Sequence, residues 1–320
     1  MTSAVHTESL TKTFPGGRGQ PPVVALDGVD LDVAGGSVRG LLGHNGAGKS
    51  TMIKILATLT RPDSGTARVA GHDVQTQGGL VRRRIGLVGQ HAAVDEILTS
   101  RQNLVLFGRL RGLDRTAAGR RADELLEQFD LVDATKRPAA KLSGGMRRRL
   151  DLAVSLITTP DVLFVDEPTT GLDPAARRDV WQAITGLARS GTTVLLTTQY
   201  LEEADQLADT ITILDHGLIA AEGTPAALKA RLGGDQVEIA FTGEAGRTGA
   251  AAALRTAGFE VFESGTPEDG LLAVPVADAT SGLMAICSAL DRADLEPTSL
   301  TLRQPTLDDV FLHLTNGATR

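Results

Sequence analysis

The sequence predicts an α/β fold with a mixed, largely parallel sheet, followed by a smaller C-terminal α+β domain. Short β-type runs alternate with helical patterns along most of the chain, which is typical of parallel α/β folds. The run Val162–Val165 is apolar throughout, as expected of a strand buried on both faces. The composition also changes near Gly233-Gly234, since residues 235–320 carry 13 acidic and 5 basic residues whereas residues 1–234 carry 26 and 27. We therefore divide the chain into residues 1–234 and 235–320.

The first domain contains alternating strands and helices in chain order. Leu125, Leu126 and Phe129 recur at the spacing of a core-facing helix, and residues 91–160 are predicted as a helical subdomain. The predicted strands are Val29–Val33, Ser37–Leu42, Ile85–Val88, Val162–Val165, Thr193–Thr197 and Ile211–Leu214. The predicted helices are Thr51–Leu59, Ser100–Arg111, Arg115–Phe129, Gly145–Ile157, Pro174–Arg189 and Leu201–Ala208.

The second domain has the predicted order βαββαβ, which suggests a ferredoxin-like unit. Its elements are the strand Gln236–Phe241, the helix Thr248–Ala257, the strands Glu260–Glu263 and Leu271–Val276, the helix Ser281–Asp291 and the strand Thr298–Leu302. A last helix, Leu307–Leu314, is expected to close this domain through Leu307, Val310, Phe311 and Leu314.

Composition excludes several classes of protein. The chain has 320 residues that are 42% hydrophobic, so it is not disordered, and its one cysteine excludes a disulfide scaffold. No apolar run approaches the roughly 20 residues of a membrane span, and the first residues do not resemble a signal peptide. The net charge of −7 argues against a nucleic-acid partner. We expect a cytoplasmic protein.

Three smaller features have ordinary interpretations. Cys287 lies in an apolar helical pattern and is expected to be a core thiol. The triplets Arg82–Arg84 and Arg147–Arg149 are expected on solvated helix faces, with a phosphate or partner contact as the alternative. Arginine outnumbers lysine by 26 to 6, which suggests a GC-rich genome.

A phosphate-binding loop lies between a predicted strand and a predicted helix. Its residues are Gly43, His44, Asn45, Gly46, Ala47, Gly48, Lys49 and Ser50, with Thr51 following in the helix. Glycines let the backbone curl so that its N–H groups face phosphate oxygens, and the helix N-terminus adds partial positive charge. Lys49 is expected to reach the β- and γ-phosphates, and Ser50 to offer its hydroxyl to Mg²⁺. The sequence therefore predicts a nucleoside triphosphate site.

Two carboxylates follow the buried strand Val162–Val165. Asp166 is expected close to the Mg²⁺, as at the ends of such strands in phosphate-loop enzymes. The adjacent Glu167 is a candidate to orient or deprotonate the attacking water. Both assignments depend on the phosphate loop, because an apolar strand that ends in Asp-Glu is common by itself.

The sequence Leu142-Ser143-Gly144-Gly145-Met146 precedes a predicted helix and lies between the phosphate loop and Asp166. At this place the chain resembles the ATP-binding cassette (ABC) family, whose signature is Leu-Ser-Gly-Gly. The resemblance implies ATP as the nucleotide and two copies packed head to tail. Ser143, Gly144 and Gly145 of one copy would then contact the γ-phosphate held by the other.

The resemblance carries over to further positions. Gln90 matches the glutamine that senses Mg²⁺ and water, and Asp173 lies in the loop that couples the two sites. Gln199 stands where most cassettes carry a histidine that contacts the γ-phosphate; the amide can hydrogen-bond but cannot become a cation. Phe14 is the candidate for stacking on adenine, with a core or loop phenylalanine as the alternative.

Two longer runs, 143–151 and 197–209, and Leu307–Leu312 resemble the daunorubicin-resistance type of drug exporter. The resemblance implies the ATPase subunit of an exporter, a homodimer on the cytoplasmic face of a separate membrane permease. The C-terminal Leu-Asp-Asp-Val-Phe element would contact that permease. Three alternatives stay open at this point: export of a lipid or polysaccharide precursor, a soluble cassette ATPase without a permease, and a nucleotide-binding regulator with little turnover.

Overall fold

The computed structural model describes residues 3–17, 21–89, 93–230, 235–264, 271–276, 278–303 and 306–311. The chain divides into two compact units, Met1–Pro225 and Ala226–Arg320. The boundary predicted from composition lies a little further along, between residues 234 and 235. Residues 231–234 are outside the described ranges, so that boundary stays a prediction.

Strands and helices alternate through the first unit, as predicted. The strands are β1 (Ser3–Phe14), β2 (Val23–Ala34), β3 (Val38–Leu42), β4 (Ser64–Val69), β5 (His72–Asp73), β6 (Ile85–Val88), β7 (Val162–Asp166), β8 (Thr193–Thr198), β9 (Thr210–Asp215) and β10 (Leu218–Gly223). The helices are α1 (Lys49–Leu56), α2 (Gly78–Arg84), α3 (Ser100–Leu110), α4 (Arg115–Gln128), α5 (Gly144–Ser155), α6 (Pro174–Arg189) and α7 (Leu201–Leu207), with α8 (Pro225–Ala230) after them.

A mixed sheet forms the centre of the first unit. In the described part of the chain its strand order is β10-β9-β3-β8-β7-β6, and all neighbours are parallel except the antiparallel pair β9 and β10. Strands β3, β7 and β8 are buried along their whole length, which explains their continuous apolar sequences. Because parallel strands end at the same edge, the residues that follow β3, β7 and β8 lie at one edge of the sheet.

A second, antiparallel sheet of order β2-β1-β4-β5 completes this unit, and the sequence analysis missed most of it. Strand β1 changes register against β2 and β4, and Ser9 has a left-handed φ of 47°. Such irregularities interrupt the alternation by which a strand is recognised in sequence. Opposite the irregularity, a Cβ on Gly65 would lie 2.3 Å from the Ser9 carbonyl oxygen, so glycine is required there.

Helices α3, α4 and α5 form the predicted helical region. Each begins with a side-chain cap: Thr99 in a capping box, Asp114 and Ser143. Leu125, Leu126 and Phe129 are buried in the core that these helices share with β7 and β8, as their spacing predicted.

The second unit has the predicted βαββαβ order. Its elements are β11 (Gln236–Ala240), α9 (Glu244–Thr256), β12 (Phe262–Ser264), β13 (Leu271–Pro275), α10 (Ala279–Arg292) and β14 (Ser299–Arg303). The strands form an antiparallel sheet of order β12-β13-β11-β14, and one hydrophobic core lies between this sheet and the two helices. This is the ferredoxin-like arrangement that the element order indicated.

In the second unit, the side chain of Cys287 and the last helix differ in how well they agree with the predictions. Cys287 is exposed, so the expectation of a core thiol was wrong; α10 buries Ile286, Ala289 and Leu290, and a residue next to Ile286 points about 100° away from that face. The last predicted helix is present over residues 307–311, where Leu307 and Val310 are buried. Leu312 and Leu314 lie outside the described residues.

Candidate nucleotide-binding site

The phosphate loop is confined by backbone on two sides. It connects the buried strand β3 to α1, and two of its glycines leave no room for a side chain. A Cβ on Gly43 would lie 2.4 Å from the Leu214 carbonyl oxygen. A Cβ on Gly48, whose φ is +109°, would lie 2.2 Å from the Ala25 carbonyl oxygen. The glycine pattern is therefore a requirement of the close contact between this loop, β9 and β2.

The Lys49 ammonium lies within this loop. Its Nζ donates hydrogen bonds to the carbonyl oxygens of Gly43 at 2.7 Å and His44 at 3.0 Å. Burial lowers the pKa of Lys49, and the negative charges of Glu167 and Asp166 oppose that shift. The loop thus places a cation beside two carboxylates, in the position that an anionic ligand would need.

The Asp166 carboxylate joins three elements. Asp166 is the last residue of β7 and is buried. Its Oδ1 accepts hydrogen bonds from Ser50 Oγ of α1 at 3.2 Å and from Thr197 Oγ1 of β8 at 2.5 Å. Ser50 and Asp166, two predicted ligands of Mg²⁺, are therefore neighbours. The third, Gln90, lies outside the described residues, and its role stays a prediction.

Glu167 follows with a left-handed backbone. Its φ is 49°, a conformation that costs a non-glycine residue about 1–2 kcal/mol and that recurs at functional sites. Its amide donates to the Thr197 carbonyl oxygen at 3.1 Å, and its carboxylate accepts a hydrogen bond from Thr170 at 3.2 Å. These contacts keep the turn in place and direct Glu167 to the phosphate loop.

A pocket of about 330 Å³ is lined by Phe14 and by six of the nine residues 43–51. Phe14 at the end of β1 lies at its mouth, 38% exposed, with Val23 paired across from it in β2. The residues that line the pocket are Phe14, Val23, Ala25, Asn45, Gly46, Gly48, Lys49, Ser50, Thr51 and Glu167. The pocket therefore combines an aromatic ring, a glycine-rich loop, a cation and a carboxylate.

Two other loop residues, Ala47 and His44, make hydrogen bonds outside the pocket. Ala47 is fully buried, and its carbonyl oxygen accepts a hydrogen bond from the Gly217 amide at 3.1 Å. The His44 ring hydrogen-bonds the Asp215 carboxylate at 3.0 Å. Both contacts link the loop to the turn between β9 and β10.

The predicted signature residues lie apart from this pocket. Ser143 caps α5, its Oγ accepting a hydrogen bond from the Met146 amide at 3.2 Å. A Cβ on Gly145 would lie 2.7 Å from Ala176 Cβ, so α5 packs closely on α6. Asp173 caps α6 by accepting hydrogen bonds from the Ala176 and Ala175 amides, which hold its pKa below the ordinary value.

Several of the predicted residues are outside the lining of this pocket, including Gly43, His44 and Ala47 of the loop itself and Asp166, which contacts Ser50. Among the described residues, the lining of the phosphate-loop pocket does not include Ser143, Gly144, Gly145, Asp173 or Gln199. Gln199 is half-buried and follows β8 at the same sheet edge as Asp166, because Thr197 pairs with Asp166.

Sequence reasoning missed two residues near the site. Thr197 bonds both Asp166 and the Glu167 amide, although nothing but its place at the end of a strand distinguishes it in sequence. Arg148 was expected on a solvated helix face, and that was wrong for this member of the triplet: it is 8% exposed and turned inward. Successive residues of a helix differ by about 100°, so three arginines in a row cannot share one face. An aspartate at the i+3 position, Asp151, was the signal available in the sequence.

Comparison with known proteins agrees with this geometry. Residues 26–170 match the family model described as ABC transporter. The chain is 55% identical to daunorubicin resistance ATP-binding protein DrrA3 of Streptomyces coeruleorubidus, over 92% of each chain. It is 49% identical to the daunorubicin/doxorubicin resistance ATP-binding protein DrrA of Streptomyces peucetius, over 98% of this chain and 93% of that one. It is 47% identical to the doxorubicin resistance ATP-binding protein DrrA of Mycobacterium tuberculosis, over 99% and 95%.

Solved structures of ATP-binding cassettes also match the fold of this chain. A dimeric ATP-binding cassette in a post-hydrolysis state, bound to ADP and Pi, matches with a TM-score of 0.62 and 26% identity, over 69% of this chain and 98% of that one. With a phosphate loop, a strand-end carboxylate pair and full-length relatives of this kind, the chain belongs to the ATP-binding cassette family, among the ATP-binding proteins of the daunorubicin-resistance type. It is an ATPase whose cassette binds ATP.

We predict that Lys49→Ala weakens ATP binding at least about tenfold, because it removes the cation from the pocket. Calorimetric titration with ATP measures this. The matched control is Lys54→Ala, an exposed lysine on the same helix, which should change the dissociation constant less than about twofold. Equal ATP affinity of Lys49→Ala and the unmodified chain would contradict the assignment of Lys49.

Proposed function

We propose that this chain is the ATP-hydrolysing subunit of a drug exporter, acting as a homodimer on a separate membrane permease. The observation that carries the proposal is the pocket that Phe14, Lys49, Ser50 and Glu167 line together. Ser50 also donates a hydrogen bond to Asp166. An aromatic ring at one end and a cation with phosphate-directed backbone at the other fit the base and the phosphates of ATP.

Each residue has a role in binding. Phe14 stacks on adenine, the amides of the loop 43–50 bind phosphate oxygens, and Lys49 contacts the β- and γ-phosphates. Ser50 and Asp166 would hold Mg²⁺, since a hydroxyl and a carboxylate are the hard oxygen ligands this ion prefers and lie 3.2 Å apart. When bound, the ion neutralises the negative charge of the phosphates.

Hydrolysis requires a water in line with the γ-phosphate. Glu167 orients this water and accepts its proton while the water oxygen bonds to the γ-phosphorus and the bond to the ADP oxygen breaks. Gln199 follows β8 at the same sheet edge and hydrogen-bonds the γ-phosphate through its amide, without a positive charge.

A second copy completes the site. Ser143, Gly144 and Gly145 form the N-terminus of α5, where unpaired amides and the helix dipole favour an anion. Following the head-to-tail packing that the cassette family implies, we assign them to the γ-phosphate of the partner; in the described structure they do not line their own chain's pocket. The dimeric solved cassette supports this arrangement. Asp173, beside them at the start of α6, lies where the two sites communicate.

The partner in the membrane is a separate chain. None of the helices in the described part of this protein combines the length and apolar character needed to cross a bilayer. The chain would act at the cytoplasmic face of the membrane. The exposed Asp308 in the segment 307–311 is a candidate permease contact, while Asp309 accepts hydrogen bonds from Arg303 and Thr306 within its own unit.

Identity along the chain favours drugs as the cargo. Relatives named for daunorubicin or doxorubicin resistance share 47–55% identity over 92–99% of this chain, which includes the second unit. The Nod factor export protein of Burkholderia lata shares 42% identity over 68% of it. Because cargo is selected by the permease, the substrate must be tested on the complex.

The direct experiment reconstitutes the chain with its permease in proteoliposomes and measures ATP hydrolysis with and without daunorubicin. We expect at least a twofold stimulation by the drug, together with ATP-dependent drug movement, and neither in a complex that contains Lys49→Ala. Stimulation by phospholipids or polysaccharide precursors alone would replace drug export with the alternative cargo. No association with any membrane protein would overturn the exporter assignment.

We predict that Glu167→Gln lowers the steady-state kcat for MgATP at least about 100-fold, because an amide cannot accept the proton of water. Its affinity for MgATP should stay within about threefold, since the side chain keeps its shape. Phosphate release and equilibrium titration give the two values. Glu202→Gln, an exposed glutamate in α7, is the control and should retain its kcat. Near-normal turnover by Glu167→Gln would remove Glu167 from this role.

A further inference from the structure

Arg148 extends from the signature helix α5 into the interior of the first unit. Its guanidinium donates four hydrogen bonds to main-chain carbonyl oxygens, three of which belong to consecutive residues that begin with the last residue of β7. The acceptors are Asp166 at 3.1 Å, Glu167 at 3.2 Å, Pro168 at 2.8 Å and Gly89, just after β6, at 2.6 Å. One side chain of α5 therefore binds the backbone that carries the catalytic carboxylate.

The shape of the guanidinium suits this task. Arginine presents five N–H donors in a rigid plane, and here they meet carbonyl oxygens from the ends of two adjacent strands. Lysine has the same charge but a single nitrogen without a fixed plane, so it cannot bind all four carbonyl oxygens in this geometry.

The charge of Arg148 is buried with partners. Asp151, one turn further along α5, lies 3.4 Å away and also accepts a hydrogen bond from the Ala93 amide at 2.9 Å. Burial lowers the pKa of Arg148, while the charges of Asp151, Glu203 and Asp166 oppose that shift. Buried ion pairs are poor sources of stability, because apolar residues of similar volume pack as well without desolvation. The contacts that distinguish an arginine at this position are its hydrogen bonds to the backbone at the ends of β6 and β7.

We propose that Arg148 is a positioning residue that couples the two nucleotide sites of the dimer. The N-terminus of α5 faces the γ-phosphate bound by the partner chain, whereas Glu167 serves the nucleotide of its own chain. A movement of α5 toward the partner's phosphate is transmitted by Arg148 to the carbonyl groups of Asp166–Pro168, and thereby to the Glu167 side chain. Glu167 is then aligned for hydrolysis only when both sites are closed. This inference rests on the proposed function, because it requires the two-chain site.

A double-mutant cycle on the full-length protein tests the coupling. The kcat at saturating MgATP is measured for Ser143→Ala, Arg148→Lys and the double variant. We expect Ser143→Ala to lower kcat about tenfold or more in the unmodified chain. In the Arg148→Lys chain the same substitution should lower kcat less than about threefold, because the connection from α5 to the backbone of Asp166–Pro168 is already broken there. The matched control is Arg147→Lys, whose side chain pairs with the exposed Glu96; there Ser143→Ala should keep its full effect.

The outcomes separate this inference from the proposed function. An unchanged kcat in Ser143→Ala would overturn the two-chain site itself. If Ser143→Ala lowers kcat by the same large factor in the Arg148→Lys chain and in the unmodified chain, only the role of Arg148 is overturned, since the effects of independent substitutions multiply. A purely structural role would lower the melting temperature and leave the effects of Ser143→Ala multiplicative.

A second measurement leaves Arg148 in place, in case its variants do not fold. Hydrogen exchange of peptides that span Asp166–Thr170 is followed with and without MgATP and vanadate. We expect nucleotide to slow exchange there in the unmodified chain. In Ser143→Ala the slowing should be at least fivefold smaller. Equal protection in both chains would overturn the coupling.

Discussion

The hydrogen bonds of the Asp166 carboxylate set the geometry on which the rest of the site depends. Oδ1 is bonded to Ser50 at the start of α1 and to Thr197 near the end of β8. These elements meet because β3, β7 and β8 are parallel neighbours whose carboxyl ends share one sheet edge, where α/β folds place ligands. The parallel order of these strands therefore explains why the phosphate loop, the strand-end carboxylates and the residues after β8 lie together.

The sequence predicted what is local or continuous in the chain. The loop 43–50 and the strand before Asp166 were recognised because each is a contiguous pattern with its own physical requirement. The helix Pro174–Arg189 has the bounds that were predicted for it. The antiparallel sheet was largely missed, since β1 is irregular and its partners are distant in sequence. Helix α9 begins at Glu244, before its predicted start at Thr248. Gly246 disfavours a helix locally, but the packing of the helix on β13 overrides that preference.

Side-chain direction was the least predictable feature. Whether an arginine of α5 faces solvent or the interior depends on the phase of the helix against the sheet, which no short pattern contains. Arg148 is buried although its neighbour Arg147 is a surface residue, and Cys287 is exposed although its helix is apolar. The roles assigned to Phe14 and Gln199 stay proposals, because each depends on where a bound nucleotide lies.

We propose that each nucleotide site combines residues of two chains. The phosphate loop and Glu167 belong to one pocket, and the Ser143–Gly145 helix end lies outside it. The most direct test is light scattering on purified Glu167→Gln with saturating MgATP, where slow turnover preserves the closed state. We expect twice the mass of one chain with MgATP and the mass of a single chain with ADP. A single chain under both conditions would contradict it.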